Sequence, residues 1–134
     1  MIEEIKIGTT QQGLLEITHA VMDIVSKACC DQGLCTLFVK HTSASLTIQE
    51  NADPSAKRDL ETWLNRLVLE DDPLFTHTHE GPDDMPSHIK SALTATSLSI
   101  PIYRGELTLG TWQGIYLWEH RTSPHTRIIV AHIV

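Results

Sequence analysis

Ile2, Ile5 and Ile7 are set among Glu3, Glu4 and Lys6, an imperfect period of two that predicts a first strand over 2–7. A Thr9–Gly13 turn leads into a second strand over 11–17. The period then lengthens: Val21, Ile24, Val25 and Ala28 share one face of a helix over about 19–30, with Thr18 as its cap and Gly33 as its stop. Residues 34–41 are apolar enough for a buried strand, and 44–49 continue as another strand or as the same one bent. Asp53-Pro54 is a strong helix start. Ala56, Leu60, Trp63, Leu64 and Leu67 form that helix's stripe, and Asp71-Asp72-Pro73 ends it.

Residues 76–86 read as loop, because Gly81-Pro82 and Met85-Pro86 interrupt any helix. A short helix follows over 86–93, capped near Asp84. Strands are expected over 98–102 and 107–109 around an Arg104-Gly105-Glu106 turn. Two more, over 111–119 and 126–134, flank a Ser123-Pro124-His125 hairpin turn. Strands outnumber helices and the connections are of hairpin type, which gives a single α+β domain over 1–134, mostly antiparallel.

Composition narrows the function. A net charge of -7 without a basic run argues against nucleic acid, whose phosphates call for clustered Lys and Arg. No apolar run is long enough to span a bilayer, so no membrane association is expected. The acidic Met1-Ile2-Glu3-Glu4 start does not resemble a signal peptide, and Cys29, Cys30 and Cys35 are odd in number and lack CxxC spacing. These features place the protein in the cytoplasm with reduced thiols and make a cysteine zinc site unlikely.

Three polar stretches carry the candidate chemistry. In the first, His41 is followed by Thr42, Ser43 and Ser45, then by Gln49, Glu50 and Asn51 just before a helix. Hydroxyls and N–H groups at a strand end receive phosphate or carboxylate oxygens, and the imidazole serves as acid, base or metal ligand. The plain alternative is a strand with hydroxyls on its solvent face. The second stretch sets Glu80, Asp83 and Asp84 near His77, His79, His88 and Lys90, a set suited to a divalent ion or, at the helix start, to an anion. His77 reads as part of a solvated run. The third places Trp112 and Gln113 between Gly110 and Gly114 and closes on Glu119-His120-Arg121. Arg121 either grips a phosphate or pairs with Glu119 or Glu106. A Ser/His/Asp triad of Ser43 or Ser45, His88 and Asp84 lacks the nucleophile-elbow motif and is set aside.

These segments together resemble the secondary thiamine-phosphate synthase family. The matching strings are His41–Thr47, Glu50-Asn51, Asp53-Pro54, Gly81–Lys90, Gly110–Ile115 and Glu119-His120-Arg121. The resemblance implies a mostly antiparallel β-sandwich with two or three packed helices, assembled as a homotrimer. It implies a site built from His41, Asp84, His88, Gln113 and His120 with bound metal or anion. It also implies the joining of a hydroxymethylpyrimidine pyrophosphate to a thiazole phosphate, with release of pyrophosphate. In that reading His41, Asp84 and His88 are catalytic, and Thr42, Ser43, Ser45, Asn51, Lys90, Gln113 and Arg121 hold the phosphorylated substrate. His41, His88, His120 and Asp84 are the candidate ligands for Mg²⁺, Mn²⁺ or Zn²⁺. The same residues would serve a non-catalytic binder of a metal or phosphorylated metabolite, a phosphate-ester hydrolase, or a structural subunit with a polar trimer interface.

Overall fold

The computed structural model describes residues 1–134 as eight strands and three helices. In chain order they are β1 (Ile2–Thr9), β2 (Gly13–Glu16), α1 (Thr18–Ala28), β3 (Gln32–Val39), β4 (Ala44–Glu50), α2 (Pro54–Leu67), α3 (Asp84–Leu93), β5 (Ser97–Tyr103), β6 (Glu106–Leu107), β7 (Gln113–Glu119) and β8 (His125–Ile133). The strands form a five-stranded sheet in the order β1-β8-β3-β5-β6 and a three-stranded sheet in the order β2-β7-β4. Every pairing is antiparallel. The mostly antiparallel α+β fold expected from the pattern, and the sandwich implied by the resemblance, are observed. No helix is long and apolar enough to cross a membrane.

The main core lies between the sheets, where Ile5, Leu37, Val39, Ile100, Ile129 and Ala131 meet Ala44, Leu46, Ile115 and Leu117, with Val21, Ile24 and Val25 of α1 alongside. A second, smaller core forms on the other side of the three-stranded sheet. There Leu14, Tyr116 and Trp118 pack with Leu64 and Val68, with Leu60 of α2 and Ile89 of α3 against them. Buried on both faces, β7 reads as Ile115-Tyr116-Leu117-Trp118 without polar alternation.

Asp53 caps α2 as expected, accepting from the Ser55 N–H at 2.9 Å. Thr18 does not cap α1. It is the first helical residue, after Ile17, and its hydroxyl donates to Glu16 at 2.7 Å and accepts the Ile115 N–H at 2.9 Å. That N–H belongs to a neighbouring strand, and satisfying it decides the rotamer. The third helix starts at Asp84, two residues before the expected start, because Met85-Pro86 falls in its first turn, where a missing N–H costs nothing. α2 ends at Leu67, before Asp71-Asp72-Pro73.

Candidate metal centre

The early start of α3 brings Asp84 and His88 onto one face, four residues apart. Asp84 is almost wholly buried. Its Oδ1 accepts from Arg121 Nη1 at 2.9 Å, while its Oδ2 faces His77 Nε2 at 2.7 Å and His88 Nε2 at 3.2 Å. His77 arrives from the loop before α3. The two Nε2 atoms and the carboxylate oxygen lie within 4.8 Å of one another.

The polarity of His88 is set from behind. Its Nδ1 lies 2.9 Å from the Thr42 carbonyl, which only accepts, so Nδ1 carries a proton. A neutral His88 therefore turns a bare Nε2 lone pair towards a carboxylate oxygen. That contact is favourable only with a proton or a cation between them. A carbonyl holding the far nitrogen is the usual support of a metal-ligating imidazole.

Arg121 frames the centre. Its Nε donates to Asp83 Oδ2 at 2.9 Å, Nη1 to Asp84, and Nη2 to the Glu80 carbonyl at 2.8 Å. Neither Glu119 nor Glu106 is its side-chain partner. Asp83 Oδ2 also accepts the N–H of Thr122. Burial would raise the Asp83 carboxyl, but the Thr122 N–H and the Arg121 guanidinium hold it below its ordinary value. A cavity of about 260 Å³ opens against His77, Met85 and Gly81, with Asp71 and Asp72 also in its wall.

The other sequence-derived candidates lie elsewhere. His41 Nε2 accepts the Ile128 N–H at 2.8 Å. Burial and then the Arg127 charge lower its basicity. Ser43 Oγ accepts from Arg127 Nη2 at 3.0 Å. Arg127 also donates through Nε and Nη2 to Glu119, and the pair is sealed in the core behind His41. Thr42 enters through its carbonyl alone. Ser45 Oγ lies 2.8 Å from His120 Nε2, and both are buried. Burial, then the Lys90 charge, takes His120 down to about 3, so the ring is neutral. Lys90 is buried too, donating to Asn65 Oδ1 at 2.6 Å, and desolvation lowers its pKa. Asn51 Nδ2 donates to Glu16 at 3.1 Å, and Gln113 Oε1 braces the turn by accepting the Gly110 N–H at 2.7 Å.

Of the four metal candidates read from sequence, Asp84 and His88 come together, while His41 is engaged by the Ile128 N–H and His120 by Ser45, away from them. His77, set aside as solvated, is the third member. Its own neighbours give no hint, since His77-Thr78-His79-Glu80 is as polar as any exposed loop.

Comparison with known proteins fixes the family. The model of UPF0047 protein YjbQ-like sequences matches residues 3–134. UPF0047 protein sll1880 of Synechocystis is 50% identical over 131 residues, covering 98% of this chain and 89% of its own length. UPF0047 protein YjbQ of Escherichia coli is 45% identical over 118 residues, covering 84% and 85%. A crystal structure of an uncharacterized conserved protein of the YjbQ/UPF0047 family from Clostridium acetobutylicum superposes with a TM-score of 0.90 at 34% identity, covering 98% of this chain and 99% of that one. The chain belongs to the YjbQ-like UPF0047 family. This corrects the resemblance drawn from the sequence strings: the matching family and these relatives carry the UPF0047 description, and the thiamine-phosphate synthase assignment falls, together with the synthase activity it implied.

Proposed function

We propose that this member of the YjbQ-like UPF0047 family is a divalent-metal protein, with His77, Asp84 and His88 as ligands and a phosphorylated small molecule as the partner the ion receives. The observation that carries the reading is the convergence of two imidazoles and one carboxylate oxygen within 4.8 Å, with the Thr42 carbonyl holding a proton on Nδ1 of His88 so that, in the neutral ring, Nε2 is the ligating nitrogen. Two imidazoles with one carboxylate favour Zn²⁺ or Mn²⁺ over Mg²⁺, which prefers oxygen. Three protein ligands leave coordination positions open to a phosphate oxygen or to water. Arg121 holds Asp84 Oδ1 and so leaves Oδ2 for the ion.

Elemental analysis of the purified protein, with thermal shifts on adding Zn²⁺ or Mn²⁺ after chelation, tests this. A near-stoichiometric metal in the wild type, lost in His77→Ala and His88→Ala, is expected. Absence of metal and of any shift in the wild type would overturn it. Phosphate should raise the melting temperature further only in the metal-loaded protein.

A second observation favours self-assembly. The outer face of the five-stranded sheet carries Leu34, Phe38, Ile128, Val130 and Tyr103, and neither core covers them. Phe38, 49% exposed, stands opposite Val130. An uncovered apolar sheet face marks an association surface, and a homotrimer of this chain is the assembly proposed for it. Phe38→Glu should release monomers in analytical ultracentrifugation, and a wild type that sediments as a monomer would refute the assembly. The three free cysteines suit a reducing compartment, and the cytoplasm is the proposed location.

A further inference from the structure

A second polar site lies apart from the metal ligands, between the β1–β2 turn, α2 and the end of β7. It is a cavity of about 300 Å³, walled by Gln12, Lys57, Glu61, Asn65, Trp118 and His120 among others. Its hydrogen bonds run in one direction. Lys90 Nζ donates to Asn65 Oδ1, Asn65 Nδ2 donates to Gln12 Oε1 at 3.2 Å, and Gln12 Nε2 donates to the His120 carbonyl at 2.9 Å. The chain starts from an ammonium, which only donates, so both amide orientations follow. Each amide nitrogen keeps one hydrogen unused.

The tautomer of His120 follows in the same way. Ser45 is wholly buried, and the His120 ring is the sole partner of its hydroxyl. The hydroxyl hydrogen has only Nε2 to go to, which leaves the proton of the neutral ring on Nδ1. Nδ1 is buried and has no partner in the protein. A buried, unused donor costs about 1–3 kcal/mol unless something accepts from it. Lys57, on the rim, makes no ion pair with any carboxylate of the chain.

One acceptor faces these donors. Glu61 Oε2 accepts the Leu14 N–H at 2.8 Å, and Oε1 is unused. Gly13 makes this possible. Its φ of +131° suits glycine alone, and a Cβ there would collide with the Glu61 carboxylate. The wall therefore offers amide N–H donors from Asn65 and Gln12 on one side of Glu61 and its unused carboxylate oxygen, one helical turn away along α2, with Lys57 a further turn on.

We propose that this cavity binds a small free α-amino acid. Its carboxylate accepts from Gln12 and Asn65, its ammonium donates to Glu61, and a short side chain rests against Trp118 beside the His120 ring. Glu61 selects against a phosphate dianion by repulsion and for a zwitterion by pairing. The volume suits a compact ligand.

Isothermal titration of the intact protein with L-alanine, L-serine, propionate, ethylamine and inorganic phosphate tests this, with ¹⁵N-histidine spectra following Nδ1 of His120. One of the two amino acids should bind at least about tenfold more tightly than propionate or ethylamine, and move the His120 signal, because each end of the zwitterion is held by a charge-assisted bond. Asn65→Ala, at an exposed position, should weaken amino-acid binding about tenfold. Glu61→Gln still accepts the Leu14 N–H, so it should retain propionate binding while abolishing the preference for the amino acid. With the titrations repeated on chelator-treated protein, three results would each overturn the proposal: no response to either amino acid at roughly 10 mM, phosphate binding more tightly than both amino acids and moving the His120 signal, or an affinity unchanged by Asn65→Ala.

Discussion

Asp84 and Glu119 are both carboxylates at 1% exposure, and each has an arginine beside it. Glu119 is closed. Its Oε1 accepts from Thr9 Oγ1 at 2.6 Å and from Arg127 Nε at 2.8 Å, and its Oε2 accepts from the Arg121 N–H at 3.1 Å and from Arg127 Nη2. Asp84 is half open. One oxygen is held by Arg121, and the other looks at two imidazole nitrogens, one of which has its proton on the far side. A buried charge met on all sides by donors from the chain fixes tertiary structure. A buried carboxylate with one oxygen turned towards two imidazoles, one of them at the loop surface, is the more open of the two to an added cation.

The largest expected effect breaks the closed centre. Arg127→Leu strands the Glu119 charge in the core, and chemical denaturation should show a loss of about 3–5 kcal/mol. An effect below 1 kcal/mol would mean that Glu119 is solvated in the folded protein and the contrast is false.

The next effect separates the two centres by ligand dependence. At a Zn²⁺ concentration of about 100 times Kd, the wild type should gain about 2.7 kcal/mol from the ion. Asp84→Asn and His77→Ala should lose that gain. Because His77 is half exposed, its removal should change the metal-free stability by no more than about 0.5 kcal/mol. Thermal melts with and without chelator measure both numbers. Arg127→Leu, by contrast, should be destabilised equally in the two conditions.

The smallest effect sharpens the account of the closed centre. Thr9→Val removes one of four donors to Glu119 and should cost about 1 kcal/mol. It also sets a sign for pH. Burial alone would raise the Glu119 carboxyl, but the Arg127 guanidinium, the Thr9 hydroxyl and the Arg121 N–H bring it below its ordinary value. A depressed carboxyl contributes stability above the unfolded value of about 4.3, and that contribution is lost as pH falls through the folded value. With one donor gone, the folded value moves back up, so acid unfolding of Thr9→Val should begin at a higher pH than in the wild type. Circular dichroism along an acid titration would detect it, and an unchanged midpoint would count against the donor set.

Much of this architecture is legible in the chain because it is local. The period-two runs, the Asp53-Pro54 start and the Arg104-Gly105 turn each depend on residues a few positions apart, and they appear where the pattern puts them. Asp84 and His88 are both named as candidates from their polar string, but the pattern starts the helix at 86 with Asp84 as its cap, and only the observed start at Asp84 puts the two on one helical face. The departures occur where a distant group competes for a residue. Thr18 resembles a cap, yet it answers the Ile115 N–H, 97 residues away. Arg121 sits beside Glu119 in sequence, yet its side chain reaches Asp83 and Asp84.

Composition, periodicity and capping thus determined a mostly antiparallel α+β domain, and the polar strings named two of the three residues of the candidate metal cluster, Asp84 and His88. The tertiary structure decided the strand order, the third member of the candidate cluster and the second cavity. His77 becomes a ligand candidate only because its loop folds back onto α3, and His120 becomes an unpartnered donor only because Ser45 on the neighbouring strand takes its other nitrogen. Short-range propensity is additive along the chain. The meaning of a polar side chain depends on which distant donors and acceptors burial leaves within reach, and only the packed structure sets that.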